Sequence, residues 1–303
     1  AETSIINFSA LDLVCTIDAD EIRTRWMSAY APDPNQVVKT MPDNTAFFLR
    51  QILKSYMNVV VHGLIPEFVH PAQLQSGMSV TPLLACLDVI RKGDRHSPEG
   101  ETAFRETMKT KMVSMYDNRS EMDGMTSLAA FQAYLISCMA WFFWLRQGTW
   151  DFLCEAMINL QEIACVACQH GLVCASEQQA CMPRWEEWIV AEAKRRTLYT
   201  MYMFDNLLSS QDNLPTYVGT ELRGLPAPAG KSLWRAVTRL DWMTAYGAEV
   251  ARNNQPLRID ELWPESPDAC QTTIATRRRR VDQWLEQVDE YGTMLYAVTT
   301  SSH

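Results

Sequence analysis

The sequence predicts an all-α protein, built as a single large, irregular helical domain of about eight or more helices. Three observations predict this fold class. Only 12 of the 303 residues are glycine, which argues against a turn-rich β architecture. Apolar residues recur at spacings of three and four, the period of an amphipathic helix, and no long segment alternates as a strand would. A hydrophobic fraction of 47% in a chain of this length is enough for a substantial core.

Residues 1–42 are predicted to form an N-terminal arm. Acidic residues cluster at Asp18, Asp20 and Glu21, and several prolines interrupt any helix before residue 43. The helical domain is expected to span 43–303, because no low-complexity linker or internal repeat divides that part of the chain.

Eight helices are predicted within 43–303 from periodicity and from their end signals. Glycines follow three of them directly or within a few residues, at Gly63, Gly93 and Gly171, and Pro183 opens another as a first-turn residue. The predicted helices are Ala46–Val61, Pro82–Arg91, Glu99–Tyr116, Thr126–Arg146, Trp150–His170, Pro183–Ser210, Ser232–Asn253 and Thr272–Val298. The 20 residues DNLPTYVGTELRGLPAPAGK, 212–231, form a long loop, and a loop of this length is usually functional or braced by packing.

The segment Leu128–Leu145 contains 18 residues and no charge, which places it at the lower limit for a membrane span. Gln132, Ser137 and the absence of basic residues on its N-terminal side favour a buried core helix instead. We therefore predict no membrane partner.

Charge and cysteine content indicate an intracellular protein, nuclear or cytoplasmic, that does not bind nucleic acid directly. The formal net charge is −9, whereas neutralising phosphates requires an excess of Lys and Arg. Nine cysteines, an odd number in apolar surroundings, are typical of reduced thiols. The N-terminal residues lack the basic and apolar regions of a secretion signal.

Three segments, in order, resemble one protein family. They are YMNVVVHGLIPEFVHP with PLLACLDVI (56–71 and 82–90), SLAAFQAYLISCMAWFF (127–143, preceded by Tyr116-Asp117), and W-x2-W-x3-E-x2-R-R-T from Trp185, continued by Asp205 and ELRGLPAPAGKSLW (221–234). Together they resemble the middle homology region, the regulatory region, of fungal zinc-cluster transcription factors, over about residues 45 to 250. The family's six-cysteine zinc cluster, which grips DNA, has no counterpart in this sequence.

The resemblance implies a regulatory domain that binds a ligand or a partner and is tied to secondary metabolism. The expected partners are a small apolar metabolite and, as a further option, a second copy of the chain. Two other functions stay open. The first is a free-standing enzyme, a cyclase, isomerase or hydrolase acting on a natural-product intermediate. The second is an interaction module such as a homodimeric scaffold.

Four residues are candidate catalytic groups if the chain is an enzyme: His70, His170, Glu192 and Asp205. Imidazoles and carboxylates are the usual general acids and bases, but no nucleophile or phosphate-loop motif accompanies them, and no cofactor is predicted. Glu192 and Arg196 are four residues apart on an apolar helix face, where unpaired charges would be costly. They are expected to form an ion pair, either structural or within a pocket.

Aromatic side chains offer a candidate binding site for an apolar ligand. Four aromatic residues in succession, 141–144, cannot all lie on one helix face, so their rings reach several neighbours. They either form a core shared by several helices or line a cavity. The candidate ligand-binding residues are Trp141, Trp144, Trp188 and Tyr202.

Two further patterns are candidates for metal or anion binding. Cys165 and Cys168 have C-x2-C spacing but lie within a predicted helix, and Cys174 and Cys181 lack the C-x2-4-C spacing of a second zinc-binding pair, so we predict core thiols and no metal. The basic run Arg277–Arg280 is interpreted as a helix turn whose aliphatic stems cover apolar surface, with nuclear import or phosphate binding as the alternative.

Overall fold

The structure is a computed structural model that describes residues 6–29, 38–75, 77–93, 97–145, 150–252, 255–263 and 270–301. The all-α prediction is confirmed: these residues form twelve α-helices and only four strands of two residues each. In chain order the elements are β1 (Leu13–Val14), α1 (Ala19–Thr24), β2 (Val38–Lys39), α2 (Asp43–Val61), α3 (Thr81–Lys92), α4 (Pro98–Asp117), α5 (Gly124–Trp144), α6 (Trp150–Gln169), β3 (Val173–Cys174), α7 (Ala175–Gln178), α8 (Trp185–Gln211), β4 (Thr216–Tyr217), α9 (Lys231–Trp234), α10 (Arg239–Ala251), α11 (Gln271–Leu285) and α12 (Glu290–Thr300).

Side chains cap the first turns of several helices. Ser97, Asp123, Thr238 and Asp289 each accept a hydrogen bond from a backbone N–H of the following turn, at 2.7 to 3.1 Å. Such caps satisfy donors that have no partner within the helix, so they fix where the helix begins.

Two of the segments that were predicted as single helices each form two helices in the structure. The segment predicted as Ser232–Asn253 is divided into α9 and α10, because Thr238 caps a new helix at Arg239. Asn253 itself lies outside the described residues. The segment predicted as Thr272–Val298 is divided into α11 and α12, because Asp289 caps a new helix at Glu290. In both cases a capping residue inside an apolar periodic segment ended one helix and began another.

The centre of the core is made by α5 and α8. By length and composition α5 could cross a membrane, but 83% of its most apolar window is buried inside the protein. Its predicted end at Arg146 lies outside the described residues. α8 is buried on nearly all sides over its 27 residues, including charged positions from Glu186 to Arg196. A helix buried all round in this way must pair its charges internally.

The described part of the N-terminal segment packs onto the helical body. β1 pairs antiparallel with β3, and β2 pairs antiparallel with β4. Ala19 and Ile22 of α1 belong to the main hydrophobic core, next to α6. The proposed boundary at residue 42 stays a prediction, and residues 30–37 lie outside the described part.

The long loop 212–231 is braced by main-chain bonds to later parts of the chain. Ala227 N–H donates to the Leu257 carbonyl at 2.7 Å, and Ile259 N–H donates to the Leu225 carbonyl at 2.8 Å. Lys231 N–H donates to the Gln287 carbonyl at 2.8 Å, at the junction between α11 and α12. These bonds hold residues 226–230 against α8 and α11, where they form one wall of a cavity.

Candidate functional site

A cavity of about 320 Å³ lies between α8, the loop 226–230, α10 and α11. Segments that are distant in sequence line this cavity, and they supply both apolar and polar side chains. Its lining residues are Val173, Glu177, Gln178, Trp188, Arg195, Pro226, Ala227, Pro228, Ala229, Gly230, Leu233, Tyr246, Glu249, Val250, Gln255, Pro256, Leu257, Arg280, Gln283, Trp284 and Gln287. Its size and its combination of aromatic, aliphatic and polar walls are typical of a small-molecule site.

Three aromatic rings form walls of this cavity, and their neighbours hold them in place. The Trp284 indole N–H donates to the Pro228 carbonyl at 2.8 Å. The other two rings are Trp188 and Tyr246, and both pack against Trp242. The ring centroid of Trp242 is 5.8 Å from that of Trp188 and 5.0 Å from that of Tyr246. Because these rings are fixed by packing, the cavity presents preformed aromatic surfaces to a ligand.

A buried network of four charges supports the cavity from behind. Glu192 accepts from Arg195 and from Arg196 at 2.7 Å each, and Arg196 donates to Asp289 at 2.7 Å. The Glu192 carboxylate also accepts the Ala229 N–H at 2.9 Å, and Arg196 donates to the Ala229 carbonyl at 3.2 Å. The predicted Glu192–Arg196 pair is therefore present, and it anchors the loop that lines the cavity.

Both cations that line the cavity are already paired with carboxylates that do not line it. Arg195 pairs with Glu192 and also donates to the Leu172 carbonyl at 2.7 Å. Arg280 donates to both oxygens of Glu261, at 2.7 and 2.9 Å. Burial raises the pKa of Glu192, but Arg195, Arg196 and the Ala229 N–H together lower it by more, so the carboxylate stays ionised.

Two carboxylates line the cavity without such a cation. Glu177 accepts a hydrogen bond from the Tyr246 hydroxyl at 3.4 Å. Glu249 lies over Gly230, where an added Cβ would come within 2.9 Å of its Oε1 atom. Within the described residues no hydrogen bond or ion pair reaches the Glu249 carboxylate. Burial raises its pKa, Arg252 opposes that shift, and the nearby charges of Glu192 and Glu177 add to it.

Of the four predicted ligand-binding aromatics, only Trp188 lines this cavity. Trp141 packs on Phe152 with ring centroids 4.2 Å apart, and Trp144 lies 6.5 Å from Phe104. The Tyr202 hydroxyl donates to Glu221 at 2.6 Å, under the guanidinium of Arg25. The structure therefore distributes these rings over the core and does not bring them together.

The four candidate catalytic residues are also dispersed, and none of them lines the cavity. His70 is buried, and its Nδ1 accepts the Ala72 N–H at 3.2 Å. His170 is exposed, with Nε2 3.1 Å from the Met122 carbonyl. Glu192 belongs to the buried network, and Asp205 accepts from Arg25 at 3.1 Å. As placed here, each of these groups has a structural partner.

The cysteine and arginine patterns have structural surroundings as well. Cys165, Cys168 and Cys174 are buried and Cys181 is exposed. No cluster of three or more metal-ligating side chains occurs in the part of the chain that the structure describes. In the basic run, Arg277 donates to the Glu261 carbonyl at 2.7 Å and Arg280 pairs with its carboxylate, so these two hold the segment 255–263.

Three groups in the cavity were not predicted from the sequence: Glu177, Tyr246 and Glu249. They come from α7 and α10, and only the fold places them opposite α8. One local signal was available. Glu249 is the only charged residue between Asp241 and Arg252 on α10.

Comparisons with known proteins identify no relative of this chain. No family model matches it, and neither does any curated protein or any solved structure. The resemblance to fungal regulators therefore stays a prediction from the three motifs.

Proposed function

We propose that this protein is a small-molecule-binding regulatory domain and that its ligand occupies the cavity between α8, the loop 226–230, α10 and α11. The observation that carries the proposal is the cavity itself, with fixed aromatic rings from three helices in its walls and a buried ion network that holds the loop 226–230. A small, largely apolar metabolite fits these walls.

A ligand in this cavity would act on α10, which suggests how binding is transmitted. Trp242 is the only buried residue of α10, whereas Tyr246, Glu249 and Val250 face the cavity. A helix with so little buried surface is held weakly, and a ligand that contacts it would favour one position over others. The motifs shared with fungal transcription regulators support a role in secondary metabolism, in the nucleus or the cytoplasm.

Native mass spectrometry of the protein incubated with a metabolite extract tests the proposal. We expect a small molecule to be retained unchanged by the wild-type protein. Val250→Trp should weaken its retention, because Val250 lies at the rim of the cavity and is 62% exposed, so that a larger side chain can be accommodated in the fold. Val113→Trp is the control, since Val113 is 49% exposed on α4, away from the cavity.

Three results would decide against the proposal in different ways. Equal retention by all three proteins would place the ligand outside the cavity. If no small molecule is retained by any of the proteins, the proposed ligand does not exist in the extract and the proposal loses its support. Consumption of a metabolite, with release of a product, would favour the enzyme alternative over the regulator.

The outer face of α10 supports a second candidate function, homodimerisation. Its exposed residues include Leu240 at 73% and Met243 at 43%, with Val250 at 62% where the face meets the rim of the cavity, and Glu249, which lines the cavity, is the only charged residue between Asp241 and Arg252. An exposed helix face of this kind usually has a partner. An added Cβ at Gly247, near the middle of the face, would meet no atom within 4 Å, so a second helix could approach closely.

The charges at the two ends of α10 favour a second copy as this partner. Asp241 and Arg252 lie about 16 Å apart along the helix and on the same edge of the exposed face. In an antiparallel pair about a two-fold axis near Gly247, Asp241 of each copy would face Arg252 of the other. Sedimentation analysis should show a dimer that Leu240→Glu dissociates and Val113→Glu does not. A monomer at all concentrations would exclude this function.

A further inference from the structure

We infer that the cavity selects a cationic ligand, a protonated amine or quaternary ammonium group carried on an apolar body. This inference rests on the proposed function, because it names the chemical class of the ligand for the same cavity. It is carried by the balance of charges around the cavity and by the aromatic rings beside them.

The lining side chains carry two negative and two positive charges, and only the positive ones are in ion pairs. The cations Arg195 and Arg280 are paired with Glu192 and Glu261, which do not line the cavity. Glu177 and Glu249 line it, and no ion pair reaches either carboxylate within the described residues, although Glu177 accepts a hydrogen bond from the Tyr246 hydroxyl, a neutral phenol. A ligand that enters this cavity therefore meets two carboxylates and no unpaired cation among the lining residues.

Glu249 is the group that a ligand cation would satisfy. Its carboxylate is half-buried and unpaired within the described residues, and its ionised form is disfavoured by burial and by Glu192 and Glu177. Arg252, at the exposed end of α10, lowers the pKa of Glu249, but no ion pair joins the two side chains. A ligand cation in the cavity would stabilise the ionised carboxylate directly.

The aromatic walls suit the same ligand. Trp188, Tyr246 and Trp284 surround the cavity together with the two carboxylates. The face of an indole or phenol ring attracts a cation, and the attraction is larger where water is excluded. An anionic ligand would instead be repelled by Glu177 and Glu249, and a neutral ligand would leave both carboxylates without a cation.

A series of three probes with one indole skeleton tests the inference: tryptamine, which is cationic, tryptophol, which is neutral, and indole-3-acetate, which is anionic. We expect isothermal titration calorimetry at neutral pH to show that tryptamine binds about tenfold or more tightly than tryptophol, and indole-3-acetate least tightly. Glu249→Gln should remove most of the preference for tryptamine and retain tryptophol binding. Glu106→Gln, at an exposed carboxylate of α4, should leave all three affinities unchanged.

The outcomes separate this inference from the proposed function. Equal affinities for tryptamine and tryptophol would overturn the charge selectivity and still support a small-molecule site. A preference for indole-3-acetate, or for tryptamine that survives Glu249→Gln, would also overturn it. No binding of any probe would overturn the inference, and the metabolite-extract experiment would then decide the proposed function independently.

Discussion

Arg196 is fully buried and charged, and the stability of α8 depends on how its charge is paired. It contacts Glu192 and Asp289, and its guanidinium lies 4.3 Å from the Trp234 ring centroid. Removing a charge from water is expensive, and partners recover that cost only while all of them are present. Loss of one partner therefore leaves another charge buried and unpaired.

Arg196→Met is expected to lower the free energy of unfolding by about 3–5 kcal/mol, because Asp289 would lose its ion-pair partner in the core. Urea denaturation followed by circular dichroism measures the change. Arg23→Met is the matched control, since the Arg23–Asp20 pair is more than half exposed, and it should change stability by less than about 1 kcal/mol.

A double variant separates charge pairing from packing. Asp289→Asn keeps a side-chain oxygen to cap α12 and removes the unpaired charge. Combined with Arg196→Met, it should recover part of the lost stability. If the double variant is as unstable as the sum of the two single ones, packing rather than charge accounts for the effect.

His70 provides a second residue-scale test, through pH. Burial lowers its pKa from 6.5 to about 4, against hydrogen bonds to the backbone at Trp234 and Ala236 that raise it. Between these pH values the unfolded chain binds a proton that the native protein does not. The contribution of His70 to stability is therefore complete above about pH 6.5 and is lost as the pH falls towards 4.

We expect the free energy of unfolding to fall by up to about 3 kcal/mol between pH 6.5 and 4 on account of His70. His70→Asn, which can still accept the Ala72 N–H, should reduce this dependence by a similar amount. Chemical denaturation at a series of pH values gives the comparison. Identical pH profiles for the two proteins would show that His70 does not titrate in this way.

Among the elements, β1 and β3 join the N-terminal segment to the end of α6. Gly171 allows this contact, because its φ is +94° and an added Cβ would lie 2.3 Å from the Cβ atom of Leu13. Lys194 and Arg195 of α8 donate to the carbonyls of residues 170–172. The end of α6 is thus held from both sides, by the N-terminal segment and by α8.

Gly171→Ala should lower the free energy of unfolding by about 3 kcal/mol, from backbone strain and from the clash with Leu13. Hydrogen exchange should increase over residues 6–29. Gly224→Ala is the control, because Gly224 has a φ of +88° with open space around it, and strain alone should cost about 1 kcal/mol. Equal losses in the two variants would show that the contact with Leu13 contributes nothing.

At the scale of the whole molecule, one hydrophobic core connects the first described helix to the last. Ile22 of α1 and Val298 of α12 belong to the same cluster of buried residues. Trp234 of α9 and Trp242 of α10 belong to a second cluster, and α8 joins the two, with Trp188 in the second cluster and Leu198 in the first. Clusters joined through one central helix favour cooperative unfolding.

We therefore expect urea unfolding to be a single transition, with the same midpoint by far-UV circular dichroism and by tryptophan fluorescence. The ten tryptophans are spread along the sequence, and those that report on the core are the buried ones, Trp141, Trp185, Trp188, Trp234 and Trp242. Two separate midpoints would indicate that one part of the helical assembly, such as α10 to α12, unfolds independently.

The sequence by itself determined the fold class, the central position of α5 and the Glu192–Arg196 pair. These properties depend on local information: the period of apolar residues, a long uncharged segment and a four-residue spacing on one helix. Most helix ends were predicted within a few residues for the same reason. The breaks at Thr238 and Asp289 were missed, because the apolar period continues across both.

Only the tertiary structure decided which residues meet. Asp289 reaches Arg196 across 93 residues, and the cavity joins Glu177, Trp188, Glu249 and Trp284 from four separate helices. No spacing in the chain encodes these contacts, because each depends on how the helices pack after they form. The candidate residues Trp141, Trp144 and Tyr202 do not line the cavity. Their positions could not be predicted, because burying an aromatic ring is equally favourable in a core and in a cavity wall.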